Sequence, residues 1–286
     1  MRDDFAVFII SHERADRVET VNMLRSTGYT GKLFVVVDDS DAELDKYRSR
    51  FNDGLRNNLI VFNKSKFRDM TEVCHRVDGC ATFARNAVEM LAKECRLSSF
   101  MVADDDLLRL RYRYEENGVL KSLSIKQGLD DILTAYIDFI LDNNVACVSF
   151  GTANIYMKGV KADAVSNNRL PFNCFIRNAG FEWTWKAEIY EDAVTDILES
   201  WNGDFAMQLP FVQCDMCPMD AGAKGGMTEV YSTISNYEKN FPVLIYAPAC
   251  VRIGLGKRNF IYSVTNKNAF PKLISSSKKL NSVESK

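Results

Sequence analysis

Histidine is almost missing from this chain: among 286 residues only His12 and His75 occur. Of the eight cysteines only Cys214-x-x-Cys217 forms a close pair, and no second pair at metal-knuckle spacing accompanies it. Structural zinc needs four Cys or His ligands at such spacings, so a zinc module is not expected and the cysteines read as reduced thiols. No apolar stretch approaches the roughly 20 residues of a membrane span. The start, Met1-Arg2-Asp3-Asp4, lacks the basic and apolar regions of a secretory signal, and Phe5–Ile10 is too short to be one. A cytoplasmic protein without a membrane partner is the expectation. A dominant charge is lacking too. The formal net charge is −2, so any polyanionic partner must be held by a local patch rather than a global field.

What is present is ordinary globular composition, 47% hydrophobic and 26% charged, with length enough for a substantial core. Phe5–Ile10 is a continuous apolar run ended by Ser11-His12-Glu13-Arg14, which suits a strand buried on both faces of a parallel sheet. Residues from Ala15 to Ser26 show helical spacing, and Gly28 follows as a stop. Lys32–Val37 is a second buried strand, ending in Asp38-Asp39. Right-handed crossover sets these two strands side by side and parallel. A helix over 41–52, a strand over 59–62, a helix over 81–91 after a Gly79 turn, and a strand over 100–103 continue the alternation. It predicts a doubly wound α/β domain, with ligands collecting at the carboxyl ends of the strands. Further on, a helix is expected over 129–141, and strands over 146–150, 172–176, 205–210, 243–246 and 250–253. One domain over 1–274 is expected, with a loose tail over 275–286.

The fourth strand runs directly into Asp104-Asp105-Asp106. Alternate carboxylates point to one side, so Asp104 and Asp106 can address one cation while Asp105 turns elsewhere. Oxygen ligands of this kind suit Mg²⁺ or Mn²⁺, which would neutralise charge on a departing diphosphate. A solvated acidic turn is the plain alternative. Asp38 and Asp39 could accept hydrogen bonds from ribose hydroxyls or a uracil N–H, or simply form a turn. Ser11, His12 and Arg14 lie in the first loop, where they could meet a nucleotide. Arg85 could approach the diphosphate and Asn86 the sugar, the alternative being an exposed helix face. Glu191-Asp192, after the aromatic stretch Phe181-Glu182-Trp183-Thr184-Trp185, could supply a general base; capping a helix is the other reading. Gly225-Gly226-Met227-Thr228 could be a loop that closes over substrate. Arg109, Arg111 and Arg113, alternating with Tyr112 and Tyr114, and the group Arg252, Lys257 and Arg258 are local basic clusters able to hold phosphates, or merely solvated arginines on a loop.

Phe8–Asp16, Gly28–Lys32, Val36–Asp39, Phe83–Asn86, Asp104–Asp106, Phe181–Trp183, Glu191-Asp192 and Gly225–Thr228 occur in an order and spacing that resembles the TET/JBP-associated glycosyltransferases. These are similar to the base J glucosyltransferase and are widespread in bacteriophages. The likeness spans roughly residues 5 to 253, and the ordered set is far more specific than any one member. It implies a GT-A-type nucleotide-sugar-binding fold with a mixed central sheet flanked by helices. Residues 1–110 would bind the nucleotide-sugar and 111–274 the acceptor. It implies a UDP-sugar donor, UDP-glucose or a UDP-pentose, and a divalent cation, Mn²⁺ or Mg²⁺, held by Asp104 and Asp106. The resemblance makes Asp38, Asp39 and Arg85 donor contacts, a role extended here to Ser11, His12, Arg14, Asn86 and Asp105. Asp192, or failing it Glu191, becomes the base of an inverting transfer. The implied acceptor is the hydroxymethyl group of a modified pyrimidine in double-stranded DNA, the setting being the host cytoplasm if the chain is phage-encoded. A glycan, lipid or protein acceptor, and a metal-dependent nucleotidyltransferase, are the rival readings.

Overall fold

The computed structural model describes residues 1–51, 58–68, 70–71, 80–156, 173–217, 225–235, 237–256, 260–265 and 269. His75, Gly79, Lys257, Arg258 and the 275–286 tail lie outside the described residues.

The first half alternates as its sequence predicts. Strands β1 (Phe5–Ile10), β2 (Lys32–Asp38), β3 (Asn58–Phe62) and β4 (Ser99–Asp104) are interleaved with helices α1 (Glu19–Ser26), α2 (Leu44–Phe51), α3 (Lys64–Arg68) and α4 (Ala81–Glu94). All six residues of β1 are buried, because helices cover both faces of the sheet there. Next come β5 (Leu107–Glu116), β6 (Val119–Ser124), α5 (Leu129–Asp142), β7 (Cys147–Gly151) and β8 (Cys174–Asn178). The chain then forms α6 (Glu191–Trp201), β9 (Ala206–Met216), α7 (Thr228–Thr233), α8 (Phe241–Tyr246), β10 (Val251–Leu255) and β11 (Phe260–Val264). Nine strands form one sheet in the order β3-β2-β1-β4-β8-β7-β9-β5-β6, and β10 pairs β11 separately. The pairs among β3, β2, β1 and β4 are parallel, whereas β8 runs antiparallel to both β4 and β7. The sheet is therefore mixed and flanked by helices.

Two expectations change. Residues 243–246 lie in α8 rather than in a strand, because Pro242 at the first turn presets a helical φ and its missing N–H costs nothing there. Arg109, Arg111 and Arg113 lie on β5, not on a loop; their period of two puts all three on one face of a hairpin strand. Smaller differences are a 3₁₀ turn over Ala15–Arg17 before α1 and a β9 longer than foreseen.

One core layer, including Val7, Ile9, Val35 and Met101, packs beneath α1 and α5, while Ala6, Phe8, Val36 and Val102 face α4 across the other side. At roughly 25 cal/mol per Å² of apolar burial these layers dominate the stability. They also fix strand register, and register fixes the site: Ile10 is level with Val36 and with Asp104. The polar residues that follow these strands thus emerge along one edge.

Candidate active site

At that edge Asp104 ends β4 half-buried, and Asp105 and Asp106 form the turn into β5. Asp105 faces inward: Ser11 donates to it at 2.5 Å and Arg14 Nη1 at 3.1 Å, tying the first loop to the acidic turn. Ser11 also shares a 2.6 Å hydrogen bond with Tyr47 of α2. Asp106 differs, because its Oδ1 is buried with no hydrogen-bond partner among the described residues. Burial pushes Asp104 up to about 8, against the pull of Arg85 and with the charges of Asp106 and Asp105 adding to the rise. Burial and the Asp105 charge raise Asp106 as well. Two carboxylates that resist ionising together, one holding an orphaned oxygen, fit a divalent cation, which would relieve both costs.

Arg85 rises from α4 beneath this turn and is 4% exposed. Its Nη1 is 2.8 Å from Glu191 Oε1 and its Nη2 is 3.7 Å from Asp104 Oδ1. The guanidinium lies over the rings of Trp185, at 4.8 Å, and Phe175, at 5.6 Å, so stacking fixes its plane. Trp185 is itself held by Asn86, whose amide donates to the Trp185 carbonyl at 2.8 Å and accepts from its N–H at 2.9 Å. Asn86 is thus a brace for the aromatic loop, with both amide atoms engaged there. Behind it, fully buried Arg177 donates to Glu89 at 3.0 Å and stacks 3.7 Å over Trp183, joining β8 to α4.

Glu191 and Asp192 open α6, directly after Tyr190 at φ +54. Burial and the neighbouring Glu191 charge lift Asp192 to about 7, with Arg85 opposing. A carboxyl at that value is poised to exchange a proton near neutrality.

The part of the edge at the ends of β1 and β2 is organised by His12. Its Nδ1 lies 3.1 Å from Asp38 and 3.3 Å from Asp41. Burial opposes the charge on His12, but the hydrogen bonds and charges of Asp38 and Asp41 prevail and raise it to about 9. Among the described residues these three are a group of His and carboxylate side chains near enough to share an ion. The protonated ring already occupies that position as the cation. Asp39, exposed, accepts the backbone N–H of Lys64 at the start of α3. Arg14 Nη2 donates to the Gly225 carbonyl at 3.2 Å, and Gly226 N–H donates to the His12 carbonyl at 3.0 Å. A Cβ on Gly225 would stand 2.6 Å from the His12 carbonyl oxygen, and φ there is +84. The Gly-Gly pair is therefore the seam where this segment docks on the first loop.

Of the predicted residues, Arg85, Asp104 and Glu191 are in direct ionic contact, with Asp106 and Asp192 within the same field of charge. His12 with Asp38, and Ser11 and Arg14 with Asp105, form two flanking groups; Asp39 stands apart at α3. Sequence reasoning missed Asp41, Tyr47 and Asp215. Asp215 accepts Arg109 and Arg111 at 2.6 Å each, and nothing in its own neighbourhood of β9 signals that partnership.

No curated protein sequence matches this chain. In structure it is similar to Staphylococcus aureus TarS 1–349 in complex with UDP-GlcNAc, with 11% identity, 85% of this chain and 65% of that one covered, and a TM-score of 0.48. The chain thus spans just under two thirds of that 1–349 chain's length. It is also similar to glucosyl-3-phosphoglycerate synthase from Mycobacterium tuberculosis, solved with Mn²⁺, uridine diphosphate and phosphoglyceric acid. There the identity is 9%, the coverage 91% and 86%, and the TM-score 0.43. The family model described as TET-Associated Glycosyltransferase matches residues 5–209, most of the chain, and the chain therefore belongs to that family.

Proposed function

We propose that this protein transfers a sugar from a UDP-sugar to the hydroxymethyl group of a modified pyrimidine in DNA. The observation that carries the transfer is the ionic line Asp104–Arg85–Glu191, with Asp106 and Asp192 beside it, at the carboxyl edge of the parallel strands. Asp104 and Asp106 fit a divalent cation, Mn²⁺ or Mg²⁺, which when bound supplies charge neutralisation for a leaving diphosphate.

Each residue then has a task. Asp192, ionised above about pH 7, takes the proton of the acceptor hydroxyl. The freed oxygen forms a bond to the anomeric carbon as the bond from that carbon to the diphosphate oxygen breaks. The nucleoside diphosphate leaves with the electron pair, and the anomeric configuration inverts. Arg85 offers fixed positive charge to the diphosphate side and holds the Glu191 carboxylate in place at 2.8 Å. Asp38, with protonated His12 beside it, can accept from a uracil N–H or ribose hydroxyl.

For the acceptor, β5 supports DNA. Arg109 and Arg111 share the single carboxylate of Asp215, leaving a net positive charge, and Arg113 stacks 4.4 Å over Tyr156. This row starts three residues beyond Asp106, so a phosphate backbone held on it passes close to the metal site. A base within a duplex must swing out to reach a half-buried donor. The test is competition between acceptors: hydroxymethylated duplex, unmodified duplex and oligosaccharides offered together with labelled UDP-sugar and Mn²⁺. Label confined to the hydroxymethylated duplex supports the reading; label on saccharide alone would overturn the acceptor while leaving the transferase.

A further inference from the structure

Three tyrosines from three separate elements gather around Glu191 and Asp192. Tyr190 immediately precedes the pair and adopts φ +54, a left-handed conformation that bulky residues avoid unless their surroundings impose it. Tyr262 of β11 meets the Tyr190 ring at 4.7 Å between centroids, with the planes at 58°. Tyr231 comes from α7, where Lys239 Nζ lies 4.7 Å from its ring centre. Tyr231 is 40% exposed, and Tyr190 and Tyr262 are half-buried. Burial holds the Tyr231 and Tyr262 hydroxyls above the ordinary tyrosine range, and the charges of Glu191 and Asp192 add to both. The rings and the carboxylates therefore share one locale, in which Tyr190 and Tyr262 rest one side on the small core that includes Val194, Ile197, Val243 and Val251, and Tyr231 is exposed.

We infer that Tyr190, Tyr231 and Tyr262 wall an acceptor slot for a planar heteroaromatic ring, which they hold with its hydroxymethyl arm toward Asp192. This rests on the glycosyltransferase reading above and adds how the acceptor is gripped. A hydroxymethyl arm places only one carbon between the ring and the reacting oxygen. The ring must therefore rest against whatever immediately surrounds the base, and here that is aromatic. Stacking is indifferent to which pyrimidine is presented and replaces the neighbours a base loses on leaving the duplex. The strained backbone at Tyr190 then has a use, since it sets one wall of the slot beside the carboxylate that takes the proton.

The test is saturation-transfer NMR on the full chain with hydroxymethyl-deoxycytidine and methyl glucoside as paired probes in the presence of UDP. Wild type is expected to saturate the base-ring protons and not the glucoside. Tyr231→Leu and Tyr262→Leu should lose most of that signal, while Tyr231→Phe and Tyr262→Phe, which keep the ring, should retain it. Where wild type modifies DNA, the Leu variants should raise the acceptor KM about tenfold, in line with the stacking of one base. UDP affinity, measured on every variant, shows that the fold persists. Base signals equal in wild type and both Leu variants, or absent from wild type, would overturn the slot. Saturated base protons without sugar transfer to any modified DNA would support the slot and sink the proposed reaction instead.

Discussion

Arg85 and Glu191 meet at 2.8 Å inside the protein, joining α4 to α6, the helix that carries the proposed base. The same guanidinium reaches toward Asp104 at 3.7 Å, so one buried cation stands between two acidic groups. Arg85→Met should cost about 3–5 kcal/mol of stability, the usual result of leaving one side of a buried ion pair uncompensated. Arg85→Lys should recover part of the stability and little turnover, because an ammonium cannot span both carboxylates while stacked on Trp185. Chemical denaturation alongside initial rates separates the two effects.

Asp106 has a buried oxygen without a partner among the described residues, and Asp104 holds its proton to about pH 8. Asp106→Asn should therefore fold at least as well as wild type without added ions, yet lose about a hundredfold or more in turnover. Mn²⁺ should raise the melting temperature of wild type in the presence of UDP and leave that of the variant unmoved. Equal thermal shifts in both proteins would remove Asp106 from the metal site.

Turnover should follow Asp192. Its value near 7 predicts kcat falling about tenfold per pH unit below that point and levelling above it, since only the carboxylate accepts a proton. Glu191 raises this value and Arg85 lowers it. The rising limb should accordingly move to lower pH in Glu191→Gln and to higher pH in Arg85→Gln. Asp192→Asn should abolish the limb with most of the rate. A pH–rate profile indifferent to all three changes would exclude Asp192 as the base.

His12 makes a prediction about stability instead. Its folded value of about 9 exceeds its ordinary 6.5, so folding favours the charged ring. That contribution is complete below about pH 6.5 and is lost as pH rises through 9. It is worth about 3 kcal/mol. Urea midpoints should fall between pH 6 and pH 10 in wild type and much less in His12→Gln, whose amide carries no charge to lose.

The parallel half of the fold was legible because each of its strands is an apolar run ending in polar residues, a pattern that register then turns into one edge. Asp104, Asp106, Arg85 and the Glu191-Asp192 pair stand out in the sequence by residue type and position, and the structure sets Arg85 between Asp104 and Glu191. What escaped the sequence depends on contacts between distant segments. Arg109, Arg111 and Arg113 look like a solvated loop until β9 brings Asp215 beside them. Asn86 looks like a sugar contact until Trp185 claims its amide. Residues 243–246 have strand-like apolar content, and only Pro242 hints that a helix begins there. Tyr190 gives no sign of its left-handed backbone, which is unusual for so bulky a residue.

The most direct test of the central claim is nucleoside mass spectrometry on hydroxymethylcytosine DNA after incubation with Mn²⁺ and a panel of UDP-sugars. A hexose or pentose mass increment is expected on the modified nucleoside alone, abolished by Asp106→Asn and by Asp192→Asn. No increment with any donor, from a protein that binds those donors tightly, would contradict it.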